Sequence, residues 1–155
     1  MRHFEDLAVG DIHTVGEYLV TQEEIVAFAE KWDPQPFHTD PEAAGSSVFK
    51  GLIAAGCHVF SISILLQNDP KIRSQVLAGF GWDQVRFGHP VRPGDRLSLT
   101  VECLEKRVSR SRPDAGIVRN LIIVRNQDGK SVLTYHDTIL VGRRAYYDQD
   151  ARQIT

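Results

Sequence analysis

The sequence lacks a surplus of positive charge. Its 155 residues include 18 Lys and Arg against 20 Asp and Glu, which gives a formal net charge of −2. Nonspecific binding to nucleic acid or to an anionic membrane needs a marked basic excess, so neither function is indicated. With 42% hydrophobic and 25% charged residues, the composition is ordinary for a globular protein, and the length predicts one domain over residues 1–155.

Cysteine is also scarce. Cys57 and Cys103 are the only two in the sequence, and both lie in apolar runs, which predicts small buried side chains rather than a disulfide. The N-terminal stretch MRHFEDLAVGD is charged within its first few residues and has no apolar core of the secretory type. These features together predict a cytoplasmic protein.

Several common motifs for catalysis and cofactor binding are missing. The sequence contains no glycine-rich phosphate loop, no Walker motif and no G-x-S-x-G elbow. Asp33, His38 and Asp40 can be counted as metal ligands, but their spacing is not one that metal sites use, and no partner cluster exists elsewhere. We therefore expect neither a metal nor a bound cofactor.

The first half of the chain predicts a strand followed by a helix. Residues 13–21 have the pattern of a strand, and Thr21 with Glu24 forms a T-x-x-E capping box at the helix start. An apolar stripe at helical spacing follows, made of Ile25, Phe28, Ala29 and Trp32. Pro34 cannot continue the helix, so we expect it to end at Asp33, with Asp33 and His38 on a proline-stiffened loop outside the hydrophobic interior.

A long uncharged run extends from Gly51 to Asn68, with His58 as its only titratable side chain besides Cys57. A membrane span is one interpretation. However, the run is at the short limit for crossing a bilayer, contains Gly, His, Ser and Asn, and has no flanking basic cluster. We therefore predict an apolar helix enclosed by the rest of its own protein, with Cys57 and His58 as packing residues rather than a nucleophile and its base.

The second half of the chain predicts only strands. The candidates cover residues 74–87, 95–108, 116–126 and 130–142, and they are separated by turn signals such as HPVRPGD and NQDGK. No helical pattern lies between them, which excludes parallel crossovers and predicts antiparallel pairing. The expected architecture is α+β: an antiparallel sheet curved around a central apolar helix, known as the hotdog fold.

Three stretches carry a family resemblance: FAEKWDPQPFHTDPEAA, VFKGLIAAG and HPVRPGDRL. Together they resemble the MaoC-like dehydratases, including the (R)-specific enoyl-CoA hydratases, over nearly the whole chain. The hydratase motif of that family matches at Asp33, Pro36 and His38, whereas Gln35 occupies the position of the usual asparagine. The resemblance implies that Asp33 and His38 are catalytic and that Gly56 offers its amide to the thioester oxygen.

Hydration of an α,β-unsaturated thioester needs residues of these types. A base must activate water, an acid must deliver a proton to Cα, and the developing enolate oxygen must be stabilised. Carboxylates are ionised at neutral pH and imidazoles exchange protons there, so Asp33 and His38 could hold one water between them. From spacing alone, a turn-forming aspartate and a surface histidine remain the alternative.

Other candidate residues and functions stay open at this point. Arg107, Arg110 and Arg112 could bind the phosphates of coenzyme A, but a solvated hairpin tip is an equal alternative. Besides a hydratase acting on a coenzyme A or acyl-carrier-protein thioester, the sequence allows a hotdog thioesterase or a noncatalytic acyl-CoA binding protein. The fold also predicts a homodimer or a dimer of dimers, because a sheet of this size leaves exposed edges.

Overall fold

A five-stranded antiparallel sheet is the framework of the protein. The computed structural model describes residues 1–144, and residues 145–155 of the predicted domain lie outside the described residues. Its strands are β1 (Ile12–Leu19), β2 (Val76–Phe87), β3 (Arg96–Val108), β4 (Ala115–Arg125) and β5 (Ser131–Gly142). Their order across the sheet is β1-β3-β4-β5-β2, and every neighbouring pair is antiparallel. All four strands predicted in the second half of the chain are confirmed.

Four α-helices lie between β1 and β2. They are α1 (Gln22–Trp32), α2 (Pro36–Thr39), α3 (Pro41–Ser46) and α4 (Gly56–Gln67), and a short 3-10 helix at Phe4–Asp6 precedes β1. No helix among residues 1–144 is long and apolar enough to cross a membrane.

The sheet curves around α4, and its edge strands demonstrate this. The two edges are separated by four strand spacings, or ~19 Å, whereas a helix is only ~10 Å wide. Nevertheless α4 touches both edges: Leu66 lies against Gly16 of β1, and the Phe60 ring packs edge-on against Trp82 of β2 at 4.9 Å. The predicted arrangement of an antiparallel sheet around an apolar helix is therefore confirmed.

Alternate residues of the central strands form the core beneath α4. Ile122 and Val124 of β4 are fully buried, as are Leu133 and Tyr135 of β5. The Tyr135 hydroxyl bonds Ser63 at 2.9 Å and accepts a hydrogen bond from Gln67 at 2.6 Å, which ties β5 to α4. Burial raises the pKa of Tyr135, so this hydroxyl stays protonated.

The predicted start of α1 is correct in position but not in all its contacts. Thr21 Oγ1 accepts a hydrogen bond from the Glu24 amide at 3.2 Å, as a capping box requires. The Glu24 carboxylate does not return to the cap and instead bonds side chains of β1 and α4. Ile25 and Ala29 are buried as expected, but Trp32 is 64% exposed, so the apolar stripe ends one turn earlier than predicted.

The start of α4 at Gly56 is as predicted, and residues 51–55 before it are not helical. One expectation about this helix is wrong. Cys57 is exposed rather than buried, and it shares an open face of the helix with Ser61 and Leu65. The sheet covers only one side of α4. The apolar composition of the helix therefore predicted more burial of its side chains than the structure shows. Cys103 is buried as predicted, and both cysteines are free.

Candidate active site

Asp33 lies where α1 ends. Its amide still donates to the Ala29 carbonyl at 2.9 Å, but its own dihedral angles, φ −157° and ψ 73°, have left the helical region. The residue before a proline is pushed out of the α conformation, so Pro34 explains the helix end. The side chain is 36% exposed, which leaves its carboxylate accessible to a ligand.

His38 occupies a more protected position than the sequence predicted. Pro36 opens the four-residue helix α2, and His38 lies on that helix with only 5% of its surface exposed. The predicted loop outside the hydrophobic interior is therefore wrong for this residue. The reason is a tertiary contact, because His38 Nδ1 lies 2.7 Å from the carbonyl oxygen of Ile53, fifteen residues away.

The contact with Ile53 determines which imidazole nitrogen is available for chemistry. A carbonyl oxygen can only accept, so Nδ1 carries the proton and donates it. In the neutral ring the lone pair is then on Nε2, which lies 3.5 Å from Asp33 Oδ2. This distance exceeds that of a good direct hydrogen bond. Two acceptor atoms therefore face one position, where one water could donate a proton to each of them.

Gly56 begins α4 shortly after the residue that holds His38. Ile53, which binds His38, precedes Gly56 by three residues, and the Ala54 amide between them donates to Val91 at 2.8 Å. The N-cap residue Ala55 provides no side-chain cap. Within residues 1–144, no acceptor takes the amides of Gly56 and Cys57, so the first amides of α4 are free for a ligand.

Phe87 covers the start of α4. A Cβ atom built on Gly56 would lie 2.9 Å from Phe87 Cζ, which is closer than real Cβ contacts. A larger residue at this position would therefore have to displace the ring, whereas glycine leaves it in place. It also lets another group approach the helix amides closely.

Arg92 supports the segment between α3 and α4, and the sequence analysis did not single it out. Its guanidinium donates to the Phe49 carbonyl at 2.6 Å, and its amide donates to Asp95 Oδ2 at 2.9 Å. The Phe49 ring lies 5.2 Å from Phe37, the neighbour of His38. Arg92 and Asp95 both belong to the turn HPVRPGD, which the sequence shows. The bond from Arg92 to the distant Phe49 carbonyl could not be read from that turn.

A second set of contacts that the sequence analysis missed joins α1 to α4. Glu24 Oε1 accepts from the Tyr18 hydroxyl at 2.5 Å and lies 2.9 Å from His58 Nε2. The bond to Glu24 raises the pKa of Tyr18 to about 12. His58 is 3% exposed and stacks on Phe28 with ring centres 4.4 Å apart, as its predicted packing role requires. These contacts tie the helix that ends at Asp33 to the helix that begins at Gly56.

The structure does not bring the three candidate arginines to this site within one chain. Arg107, Arg110 and Arg112 belong to the β3–β4 hairpin, whereas the site attaches near the opposite end of β3 through Val91 and Arg92. β3 spans ~40 Å of extended chain between those ends. Arg112 also makes a bidentate pair with Asp114, at 2.8 and 2.5 Å.

Metal ligation finds no support in the part of the chain that the structure describes. That part holds no group of three or more His, Cys, Asp or Glu side chains able to bind a metal ion. Asp40, the third residue of the alternative metal set, instead caps α3 by accepting from the amides of Glu42 and Ala43.

The sheet wraps around an apolar helix, and near the free amides of that helix a carboxylate faces an imidazole. This arrangement defines a hotdog protein of the hydratase and dehydratase class. Comparison with known families agrees. The family model described as "MaoC like domain" matches residues 8–126. The chain therefore belongs to the MaoC-like dehydratase family.

Known proteins extend this comparison. The crystal structure of the MaoC-like dehydratase from Rhodospirillum rubrum is 38% identical, with a TM-score of 0.86, over 92% of this chain and 97% of that one. The R-hydratase PhaJ1 from Pseudomonas aeruginosa is 26% identical, with a TM-score of 0.75, over 92% and 86%. The 3-hydroxyacyl-acyl-carrier-protein dehydratase FabZ of Desulfotalea psychrophila is 34% identical over 86 residues, which is 54% of this chain and 53% of that protein.

Proposed function

We propose that this protein reversibly hydrates a trans-2-enoyl thioester of coenzyme A to the (R)-3-hydroxyacyl thioester. The observation that carries the proposal is the pairing of His38 Nε2 with Asp33 Oδ2 at 3.5 Å, with Nδ1 committed to the Ile53 carbonyl. The similarity to an R-hydratase and to a 3-hydroxyacyl dehydratase supports the reaction class.

In the proposed hydration, the two side chains act on one water. The water donates hydrogen bonds to Asp33 Oδ2 and His38 Nε2, so that its oxygen attacks Cβ of the substrate. The proton that the water loses passes to the pair, and one proton is delivered from the pair to Cα. Dehydration follows the same steps in reverse. Because Nδ1 is held by a buried carbonyl, the ring cannot turn away during the proton transfers.

Stabilisation of the enolate is assigned to the start of α4. Negative charge develops on the thioester oxygen during attack at Cβ, and amides aimed at such charge stabilise the transition state. The free amides of Gly56 and Cys57 and the positive end of the helix dipole are suited to that oxygen. No metal or cofactor takes part in the proposed reaction, and coenzyme A enters as part of the substrate.

The test follows crotonyl-CoA by the ultraviolet absorbance of its conjugated thioester, with a thiol-reactive dye in a parallel sample. We expect absorbance to fall without thiol release, and we expect Asp33→Asn and His38→Asn each to lower kcat by about 10²- to 10⁴-fold, the usual contribution of general acid–base catalysis. The control is Asp40→Asn, which changes a nearby carboxylate that caps α3 instead.

Other results would contradict the proposal. Release of free thiol would indicate a thioesterase. Full activity in either variant at Asp33 or His38 would exclude the proposed pair. Tight binding of a series of enoyl-CoAs without turnover would indicate a noncatalytic acyl-CoA binding protein.

A homodimer is part of this proposal, and β2 supports it. This edge strand pairs only with β5 among the described residues, and it exposes Phe80, Trp82 and Phe87, each by more than half of its surface. Exposed apolar edge strands are sites of association. We propose that two copies join through β2, alone or within a dimer of dimers. Light scattering at assay concentration tests this, with Phe80→Lys expected to weaken assembly and a monomeric native protein contradicting it.

Two further assignments depend on the cell and on assembly. Two free cysteines suit a reducing compartment, and we propose the cytoplasm. Binding of coenzyme A phosphates by Arg107, Arg110 and Arg112 stays a prediction, and it would require the hairpin of a second copy to reach the site.

A further inference from the structure

A cavity of about 660 Å³ lies on the face of the sheet that packs against α4, beside the C-terminal half of that helix. Its volume is within the range of small-molecule binding sites. Ile64 and Gln67 of α4 and Phe80 and Trp82 of β2 contribute to its wall. Asp33, His38 and Gly56 are not among its described lining residues, so the proposed hydration does not use this space directly.

Two buried polar residues, Asn120 and Asp137, line this cavity, whose wall also includes the charged residues Arg2, Asp11 and Arg73. Asn120 of β4 and Asp137 of β5 are direct cross-strand partners, and Cys103 and Trp82 continue the same row onto β3 and β2. Asn120 Nδ2 donates to Asp137 Oδ1 at 2.8 Å. The two residues are only 7% and 2% exposed, yet both line the cavity.

Some acceptor atoms of Asn120 and Asp137 have no hydrogen-bond donor among the described residues. Asn120 is the only side chain in the described part of the chain that donates to Asp137, and nothing there donates to Asn120 Oδ1. Burial raises the pKa of Asp137 to about 6, although the bonds from Asn120 oppose the rise. Placing a carboxyl group here is costly unless something donates to it. The available atoms of this pair are acceptors, so the ligand group that complements the pair itself is a hydrogen-bond donor.

The cavity lies within reach of an acyl chain that starts at the active site. Ile64 follows Gly56 by about two helical turns, which places it ~12 Å further along α4. A medium-length chain on a thioester held at the first amides of α4 is therefore long enough to reach the cavity if it runs along the helix. A wall that selected only hydrocarbon would have no use for a carboxyl and an amide at that point.

We propose that this cavity binds the distal end of the acyl chain, and that Asn120 and Asp137 select chains that end in a hydrogen-bond donor such as a hydroxyl group. The inference rests on the proposed function, because it takes the enoyl thioester as the ligand. It adds the substrate class: ω-hydroxylated or similarly donor-terminated enoyl thioesters, rather than plain alkyl chains.

The experiment compares enoyl-CoA pairs of eight to twelve carbons that differ only in an ω-hydroxyl group. For the native protein we expect kcat/KM to be roughly tenfold or more higher for the hydroxylated member, the effect of one hydrogen bond to a charged acceptor. The double variant Asn120→Leu/Asp137→Leu should reverse that preference. The matched control is Thr134→Val, which removes a hydroxyl from another position of β5 that does not line the cavity and should leave the preference unchanged.

A binding measurement keeps this inference separate from the hydratase proposal. Calorimetric titration with saturated ω-hydroxyacyl-CoA and acyl-CoA of equal length needs no turnover and no variant. Tighter binding of the hydroxylated ligand supports the cavity assignment even if no enoyl-CoA is hydrated. Equal affinity, preference for the alkyl chain, no binding of either ligand, or a hydroxyl preference that survives in the double variant would each overturn it.

Discussion

Replacing Asp137 by asparagine should change how stability depends on pH. Asp137 is almost fully buried, and its pKa is raised from 3.8 to about 6. The variant Asp137→Asn keeps the size of the side chain and an oxygen that can still accept from Asn120, but it cannot ionise. The difference between the two proteins therefore isolates the cost of a buried charge.

The expected magnitude follows from linkage. Below pH 3.8 the carboxyl group is protonated in both the folded and the unfolded state. As pH rises towards 6, the unfolded chain loses this proton while the folded protein keeps it, so the native protein loses stability over that interval and stays at the lower level above it. A shift from 3.8 to about 6 corresponds to ~3 kcal/mol. Of this, ~2 kcal/mol falls between pH 4.5 and pH 7.5.

The assay is urea unfolding of both proteins at several pH values and one fixed protein concentration. We expect Asp137→Asn to gain ~2 kcal/mol relative to the native protein between pH 4.5 and pH 7.5. Carboxylates with lowered pKa values, such as Asp114, act in the opposite direction but are shared by both proteins and cancel in the difference. Asp128→Asn, in an exposed turn, is the control and should follow the native curve.

Parallel stability curves for the native protein and Asp137→Asn would refute the reasoning. They would mean that the carboxyl group titrates in the folded protein as it does in the unfolded chain. The burial of Asp137 would then not raise its pKa as the structure indicates.

Two further predictions concern the start of α4. Gly56→Ala should lower turnover about 100-fold, because the new Cβ would meet Phe87 and crowd the free amides. Adding Phe87→Ala should recover thermal stability but not turnover. Recovery of both would contradict the assigned role of the amides. A thiol reagent should modify Cys57 quickly and Cys103 slowly, because Cys103 is buried and burial raises its pKa. Mass spectrometry after peptide digestion measures both rates, and faster modification of Cys103 would contradict the prediction.

Local sequence signals predicted the elements that position the site. Thr21 marks the start of α1, Pro34 ends the helix at Asp33, and the turns around Pro93 and Gly129 separate the strands. Each signal acts through the backbone of its immediate neighbours, so a linear pattern contains the information. The family resemblance in turn selected Asp33, His38 and Gly56, and the structure places Asp33 beside His38, with Gly56 three residues after the carbonyl that holds His38.

Burial and partnership could not be predicted in the same way. Local pattern placed His38 on an exposed loop, but its ring is buried because it bonds the carbonyl of Ile53. Apolar context placed Cys57 in the interior, but the sheet covers only one side of α4 and leaves Cys57 exposed. The T-x-x-E pattern predicted that Glu24 caps α1, whereas its carboxylate hydrogen-bonds Tyr18 of β1 and His58 of α4.

The sequence by itself determined the order of β1, α1, α4 and the four later strands, the family, and the two side chains proposed for chemistry, because propensity, turn residues and motif spacing are properties of neighbouring residues. Only the tertiary structure decided which imidazole nitrogen faces Asp33, which side of α4 is open, and that Asn120 and Asp137 meet at a cavity. These features depend on contacts between residues far apart in the chain, and only the register of the strands and the packing of α4 bring such residues together.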